Sequence, residues 1–92
     1  MNNFSDMLSK AKAMQEKMRE AQDQIKKIEV EGLSGGELVK VVLSGDYEIK
    51  SITISDTAKN ESQDIINDLI IAAYNNAKEN LQKKSAEELS KA

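Results

Sequence analysis

Basic side chains near both ends of the chain are the main candidates for a functional role in this sequence. Four lie within the first 19 residues and three lie between residues 78 and 84: Lys10, Lys12, Lys17, Arg19, Lys78, Lys83 and Lys84. Lysine and arginine in such groups can bind phosphate through charge-assisted hydrogen bonds. Lysine-rich helix surfaces are common, however, so the pattern alone favours a solvated helix face with ion pairs such as Lys12–Glu16. Phosphate binding is the more specific alternative.

The charge distribution separates the ends of the chain from its middle. The net charge is −3. Residues 5–19 carry four basic and two acidic side chains, and residues 78–92 carry four basic and three acidic ones. Residues 20–77 carry five basic and eleven acidic side chains. The ends are therefore better suited to an anionic partner than the acidic middle is.

Several kinds of catalytic site are excluded by composition. The chain contains no Cys and no His, so zinc sites of the usual ligand types and Cys–His or Ser–His catalysis are ruled out. Gly35 and Gly36 precede a predicted strand and not a helix, so they are not a phosphate-binding loop. The sequence predicts a protein that is not an enzyme, with no metal site, no cofactor and no small-molecule substrate.

The first group of basic residues lies on a predicted helix from about residue 3 to 27, with Asn3 as its N-cap. Apolar residues recur there with a seven-residue period in two phases: Phe4, Ala11, Met18 and Ile25, and Met7, Met14, Ala21 and Ile28. This spacing is typical of a coiled-coil seam that packs against one partner helix.

Three strands are predicted after this helix, at about residues 28–33, 38–44 and 47–55. The glycine-containing turns between them are short enough for a three-stranded antiparallel meander. Ile49 is out of phase with Ile52 and Ile54, which predicts a β-bulge near Lys50 and Ser51.

A second long helix is predicted at about residues 61–90, after a capped single turn at Asp56–Lys59. Asn60 is its predicted N-cap, with Gln63 in a variant of the capping box. Over residues 65–74 this helix is apolar on nearly all sides, so it must pack against other elements on more than one side. The apolar stripe then narrows, which predicts that residues 77–89 pair antiparallel with the first helix. In that arrangement the partners of residues 77–89 are Phe4, Met7, Ala11 and Met14.

The predicted fold class is α+β with the element order α-β-β-β-α, in a single domain spanning residues 1–92. The N-terminus shows no basic region followed by an apolar run, so no signal peptide is predicted. The longest apolar run, Leu69–Tyr74, is too short to cross a bilayer. We therefore expect a cytoplasmic protein without a membrane partner.

The segment Gly32-Leu33-Ser34-Gly35-Gly36-Glu37-Leu38-Val39-Lys40-Val41 resembles the YbaB/EbfC family of bacterial nucleoid-associated proteins. The resemblance extends to Met14-Gln15-Glu16-Lys17-Met18 and to Asp68-Leu69-Ile70-Ile71-Ala72-Ala73-Tyr74. It covers almost the whole chain, and its specificity lies in the order and spacing of these pieces. Glu37 stands where the family usually has Gly, and the family's Met/Pro-rich tail is missing from this Pro-free chain.

The resemblance implies a tweezer-like homodimer whose helical arms bind double-stranded DNA. It implies a location in the nucleoid and effects on DNA conformation, nucleoid organisation, gene expression and DNA protection. It favours phosphate contacts for the seven basic residues as a group, and it implies a dimer interface formed by the sheet and the first part of the last helix. We expect Ile66, Ile70 and Tyr74 in that interface, with a role in the monomer core as the alternative for Tyr74. The alternative is a coiled-coil-type protein-interaction adaptor without direct DNA binding, which the net negative charge favours.

Overall fold

The computed structural model describes residues 2–91, and Met1 and Ala92, the ends of the predicted domain, lie outside them. The chain forms α1 (Asn2–Lys26), β1 (Glu29–Ser34), β2 (Val39–Ser44), β3 (Ile49–Ile54), α2 (Asp56–Lys59) and α3 (Gln63–Lys91). The predicted α+β element order is confirmed. The predicted boundaries of the long helices and strands lie within two residues of those observed.

The three strands form an antiparallel sheet in the order β1-β2-β3. Cross-strand pairing aligns Gly32 with Val41 and Val41 with Ile52, so these residues share one face. Val39, Val41 and Leu43 of the central strand are fully buried on that face. The core is completed by small residues of α3, among them Ala73 and Ala77.

The predicted bulge in β3 is confirmed. Val42 pairs with Ser51 and Leu43 pairs with Ile49, so Lys50 is the additional residue. The bulge restores Ile49 to the face that carries Ile52 and Ile54, because it compensates for the break in the two-residue alternation.

α3 lies very close to β1 at Gly32. A Cβ atom on Gly32 would lie 2.1 Å from the Ala73 carbonyl oxygen and 2.3 Å from the Ala77 amide nitrogen. The helix also covers the outer edge of β1, where Asn76 Oδ1 accepts a hydrogen bond from the Leu33 amide (2.9 Å) and Asn80 Nδ2 donates one to the Glu31 carbonyl (2.8 Å). Unpaired strand edges favour unwanted pairing, and these two asparagines occupy that edge.

Both predicted caps of the long helices are wrong, whereas the single turn at Asp56–Lys59 is confirmed, with Ser55 as its N-cap. Asn60 is the C-cap of that turn. At the start of α3, the Ser62 hydroxyl accepts a hydrogen bond from the Ile65 amide (3.3 Å). Ser62 takes the place of the predicted cap Asn60, because Asn60 belongs to the preceding turn. Asn3 lies inside α1, since the helix already includes Asn2.

The predicted pairing of Phe4, Met7, Ala11 and Met14 with residues 77–89 is also wrong. Ala77 packs on Gly32 of the sheet, and Leu81 belongs to the same core. About ten residues of α3 remain beyond Leu81, or roughly 15 Å at about 1.5 Å per residue. They reach only the second half of α1, where Lys17 and Ala21 share a hollow with Glu88 and Lys91.

The first half of α1 therefore projects beyond the end of α3. The described chain measures 71 × 17 × 16 Å. Of the predicted seam, Ala21 is buried and Ile25 and Ile28 are half-buried, whereas the residues before them are exposed. We call the projecting helix, with the end of α3 at its base, the arm, and the sheet with the first part of α3 the body.

Candidate nucleic-acid and self-association surfaces

The four basic residues predicted on the first helix are all exposed on the arm. Lys12 and Arg19 are seven residues apart, as are Lys10 and Lys17, so each pair forms a row along the helix. Lys26 is also exposed and continues the first row. We call Lys12, Arg19 and Lys26 the outer row and Lys10 and Lys17 the flanking row.

Arg19 forms an ion pair with Glu16, one helical turn away. The side chains are 66% and 61% exposed. Such exposed pairs contribute little to stability because water screens them and the side chains lose freedom. The Arg19 guanidinium can therefore exchange this partner for a phosphate at little cost.

The lysines of α3 lie in a different environment. Lys78 is half-buried, while Lys83 and Lys84 are exposed and line a hollow beside β1. Three carboxylates line the same hollow: Glu29, Glu31 and Glu87. The structure thus brings Lys83 and Lys84 next to acidic groups and does not bring them beside Lys10 and Lys12 at the tip of the arm.

Lys26 was not among the predicted basic residues, although its seven-residue spacing from Arg19 places it in the same row as Lys12 and Arg19. Lys91 was not among them either, and it shares the hollow at the base of the arm with Lys17. No sequence spacing connects those two residues, because their proximity depends on how far α3 extends along α1.

An apolar surface remains open on the body because α3 packs on β1 and β2 and leaves β3 uncovered. Ile49 and Ile52 of β3 are 48% and 44% exposed, although they share the face of the buried Val41. Among residues 2–91, β3 also has no strand on its outer side. This face and edge are suited to another protein surface.

The predicted interface residues lie along one side of α3. Ile66, Ile70 and Tyr74 recur every four residues along α3 and are half-buried. Asn76 and Asn80 occupy the helix side at the β1 edge. Because the helix turns by about 100° per residue, Tyr74 lies on the opposite side, toward β3. We call Ile49, Ile52, Ile66, Ile70 and Tyr74 the body patch. The resemblance implied that the sheet takes part in the dimer interface, but the sequence did not single out Ile49 and Ile52, because alternation predicts which face they share and not that α3 leaves it open.

Comparison with known proteins decides the family. The model of the YbaB/EbfC DNA-binding family matches residues 1–92. The chain belongs to this family. The predicted resemblance is therefore confirmed over the full length of the sequence.

Curated relatives from several bacteria support the same assignment. A nucleoid-associated protein of Bartonella bacilliformis is 40% identical over 88 residues, which cover 95% of this chain and 82% of the relative. One from Rickettsia felis is 40% identical over 91 residues, covering 98% of this chain and 85% of the relative. One from Francisella tularensis is 39% identical over 83 residues, covering 90% and 74%.

The described helices of this YbaB/EbfC family member lack membrane-spanning character. Within residues 2–91, none is both long enough and apolar enough to cross a bilayer. α1 and α3 are each long enough, but both contain many charged side chains.

Proposed function

We propose that this chain is a bacterial nucleoid-associated protein that binds double-stranded DNA as a homodimer and alters its conformation. The main support for this proposal is that Lys10, Lys12, Lys17 and Arg19 lie on an exposed arm of a chain that belongs to a DNA-binding family. The proposed location is the nucleoid. Effects on nucleoid organisation, gene expression and DNA protection would follow from such binding.

The separation of the arm from the acidic body supports this proposal. α1 ends at Lys26, next to the body. Lys12 precedes Lys26 by 14 residues, which corresponds to about 21 Å of helix at about 1.5 Å per residue. That distance is about twice the Debye length of about 10 Å in 0.1 M salt. The carboxylates of the body therefore weaken phosphate attraction at the arm tip only slightly.

The body patch supports a homodimer. Its members Ile49 and Ile52 lie exposed on β3, whose outer edge carries no partner strand in the described chain, and a second copy would bring an identical patch. A two-fold contact of this kind is self-complementary. It would give one DNA-binding particle two arms and double the number of phosphate contacts.

Replacing the four arm cations with glutamine tests DNA binding. Each lost phosphate contact reduces the salt dependence of log K by about 0.9 on duplex DNA. We expect Lys10→Gln, Lys12→Gln, Lys17→Gln and Arg19→Gln together to weaken binding and flatten the salt slope, as measured by fluorescence anisotropy at several salt concentrations. Three further substitutions, Lys78→Gln, Lys83→Gln and Lys84→Gln, measure the α3 contribution separately.

A control variant carries the same change in net charge on other surfaces: Lys27→Gln, Lys40→Gln, Lys50→Gln and Lys59→Gln. It should retain the wild-type salt slope. Equal slopes for the arm variant and the wild type would refute the arm as the DNA-binding surface. A dimer that fails to bind duplex DNA at physiological salt would instead favour the adaptor function.

The dimer is tested by a charged residue in the body patch. Ile52→Lys leaves the isolated protomer foldable, because Ile52 is already 44% exposed, but it buries an ammonium group in the proposed interface. Leu33→Lys is the matched control, since Leu33 is 39% exposed on the opposite face of the sheet. Light scattering should give a monomeric mass for Ile52→Lys and a dimeric mass for Leu33→Lys. Dimeric masses for both would contradict this interface.

A further inference from the structure

The projecting half of α1 carries an apolar surface that no described part of the chain covers. Phe4, Met7 and Met14 are 68%, 67% and 69% exposed. Together with their apolar neighbours they form a continuous strip, which we call the arm stripe: Phe4, Met7, Leu8, Ala11, Met14 and Met18. Scattered exposed apolar residues are ordinary, but a contiguous strip of this kind marks an interaction surface.

The period of the arm stripe indicates that its partner is a helix. Five of its members, all except Leu8, follow the two-phase seven-residue spacing of the seam that includes Ala21, which is buried at the base of the arm where the end of α3 lies. One seam thus has its C-terminal end against a helix of the same chain and its N-terminal end open. A partner at the open end would extend a helix–helix contact that already exists.

For a second copy of α1 as the partner helix, the residues beside the stripe favour one direction over the other. Lys10 and Lys17 border one side, and Gln15 and Gln22 border the other. An antiparallel copy of α1 would place Lys10 opposite Lys17 of its partner, with repulsion between like charges. A parallel copy places each lysine opposite a glutamine, which removes this repulsion.

We propose that the arms of neighbouring molecules pair through parallel contacts between their α1 stripes. The inference rests on the proposed function, because the stripe is too short to hold free molecules together. It spans about two heptads, and isolated helical contacts of that length are marginal in water. Pairing therefore becomes effective where DNA raises the local concentration of arms.

The consequence for assembly follows from symmetry. The body patch and the arm stripe would each form a two-fold contact, and two different two-fold contacts on one chain generate an open-ended array. Binding to long DNA should then be cooperative. Binding to a duplex that accommodates one dimer should not be.

Cysteine cross-linking tests the arm contact directly, since the wild-type chain contains no Cys. Met14→Cys places a thiol in the stripe, where parallel pairing brings it close to its copy. Ser9→Cys places one on the far side of the same exposed helix. Oxidation should link Met14→Cys chains, more rapidly on long duplex, and leave Ser9→Cys chains largely single. Equal cross-linking of both variants, or none of Met14→Cys, overturns the proposal.

Native mass measurement separates pairing between molecules from closure of two arms within one dimer. The cross-linked Met14→Cys protein should exceed the mass of two chains. A product that remains at two chains would overturn the array. Cross-linking at high protein concentration without DNA tests whether the α1 stripes pair, even if the DNA-binding proposal fails.

A charge-neutral variant tests the effect on DNA binding. Met7→Gln with Met14→Gln removes apolar surface from exposed positions and adds no charge, so phosphate attraction is unchanged. We expect affinity for the one-dimer duplex to stay at the wild-type value and affinity for long duplex to fall about tenfold, equivalent to about 1.4 kcal/mol. Ser9→Gln with Ala13→Gln should change neither affinity. An unchanged isotherm for the stripe variant on long DNA overturns the proposal, whereas loss of binding on both duplexes shows that the stripe residues contribute to DNA binding itself.

Discussion

Replacing Gly32 by alanine should force α3 away from the sheet. The new Cβ would lie 2.6 Å from the Ala77 Cβ atom and 2.1 Å from the Ala73 carbonyl oxygen. Favourable carbon–carbon contacts lie at about 3.5–4.0 Å, so the helix must retreat by about 1 Å. That movement also stretches the hydrogen bonds that Asn76 and Asn80 make to the edge of β1.

The cost of Gly32→Ala can be estimated from these effects. Overpacking of a core costs about 1–3 kcal/mol, and each weakened hydrogen bond about 0.5–1.5 kcal/mol. Alanine recovers about 0.5–1 kcal/mol relative to glycine through lower backbone entropy in the unfolded chain. The net loss is about 1–5.5 kcal/mol, with a midpoint of about 3 kcal/mol. At about 4–8 °C per kcal/mol for a domain of this size, a loss of about 3 kcal/mol lowers the Tm by about 12–24 °C.

Thermal unfolding followed by circular dichroism at one fixed protein concentration measures this loss, since dimerisation makes the Tm depend on concentration. Gly36→Ala is the matched control. Gly36 has a φ of +75° with no atom within 4 Å of its added Cβ, so its cost is the left-handed backbone alone, about 1–2 kcal/mol. Equal stability of the Gly32→Ala and Gly36→Ala proteins would refute the argument that close contact between α3 and β1 leaves no room for a side chain at position 32.

Three smaller changes test local features of the fold by the same unfolding measurement. Tyr47 has a φ of 63°, so Tyr47→Gly should raise stability by about 1 kcal/mol, and a lower Tm would show that its side-chain contacts outweigh the backbone strain. Ser62→Ala should cost about 1 kcal/mol because it removes the N-cap of α3, and an equal loss for Asn60→Ala would contradict this assignment. Asn76→Ala with Asn80→Ala should cost about 1–3 kcal/mol from two hydrogen bonds and increase light scattering on standing, whereas wild-type stability and solubility would show that the β1 edge needs no cover.

The sequence predicted the elements well because each has a local cause. The change from a seven-residue to a two-residue period marks the end of α1, and the phase slip at Ile49 locates the bulge opposite Val42 and Leu43. Glycines at the first turn adopt the positive φ that the turn requires, 58° at Gly35 and 75° at Gly36. Such features depend on a few neighbouring residues and are therefore visible in one sequence.

The arm was predicted incorrectly because its geometry depends on distances across the fold. The sequence shows that α3 is long, but not how much of it crosses the sheet before α1 is reached. Gly32 fixes that position by admitting Ala73 and Ala77 into backbone contact. The remaining part of α3 is then too short to cover Phe4 and Met14. The same cause explains why Lys83 lies beside acidic residues of β1 and not near the arm tip.

The angular arrangement of α1 explains how arm pairing and DNA binding can occur together. At about 100° per residue, the outer row lies about 130° around the helix from the centre of the seam, whereas the flanking row lies about 75° away. A parallel partner on the arm stripe would therefore approach Lys10 and Lys17 and leave Lys12 and Arg19 facing outward. The drift between the helical period and the seven-residue repeat is only about 20° per heptad, so this separation persists along the projecting half. Lys12 and Arg19 are thus the cations that keep full access to phosphate in a paired array, and their loss should weaken binding to long DNA more than the loss of Lys10 and Lys17.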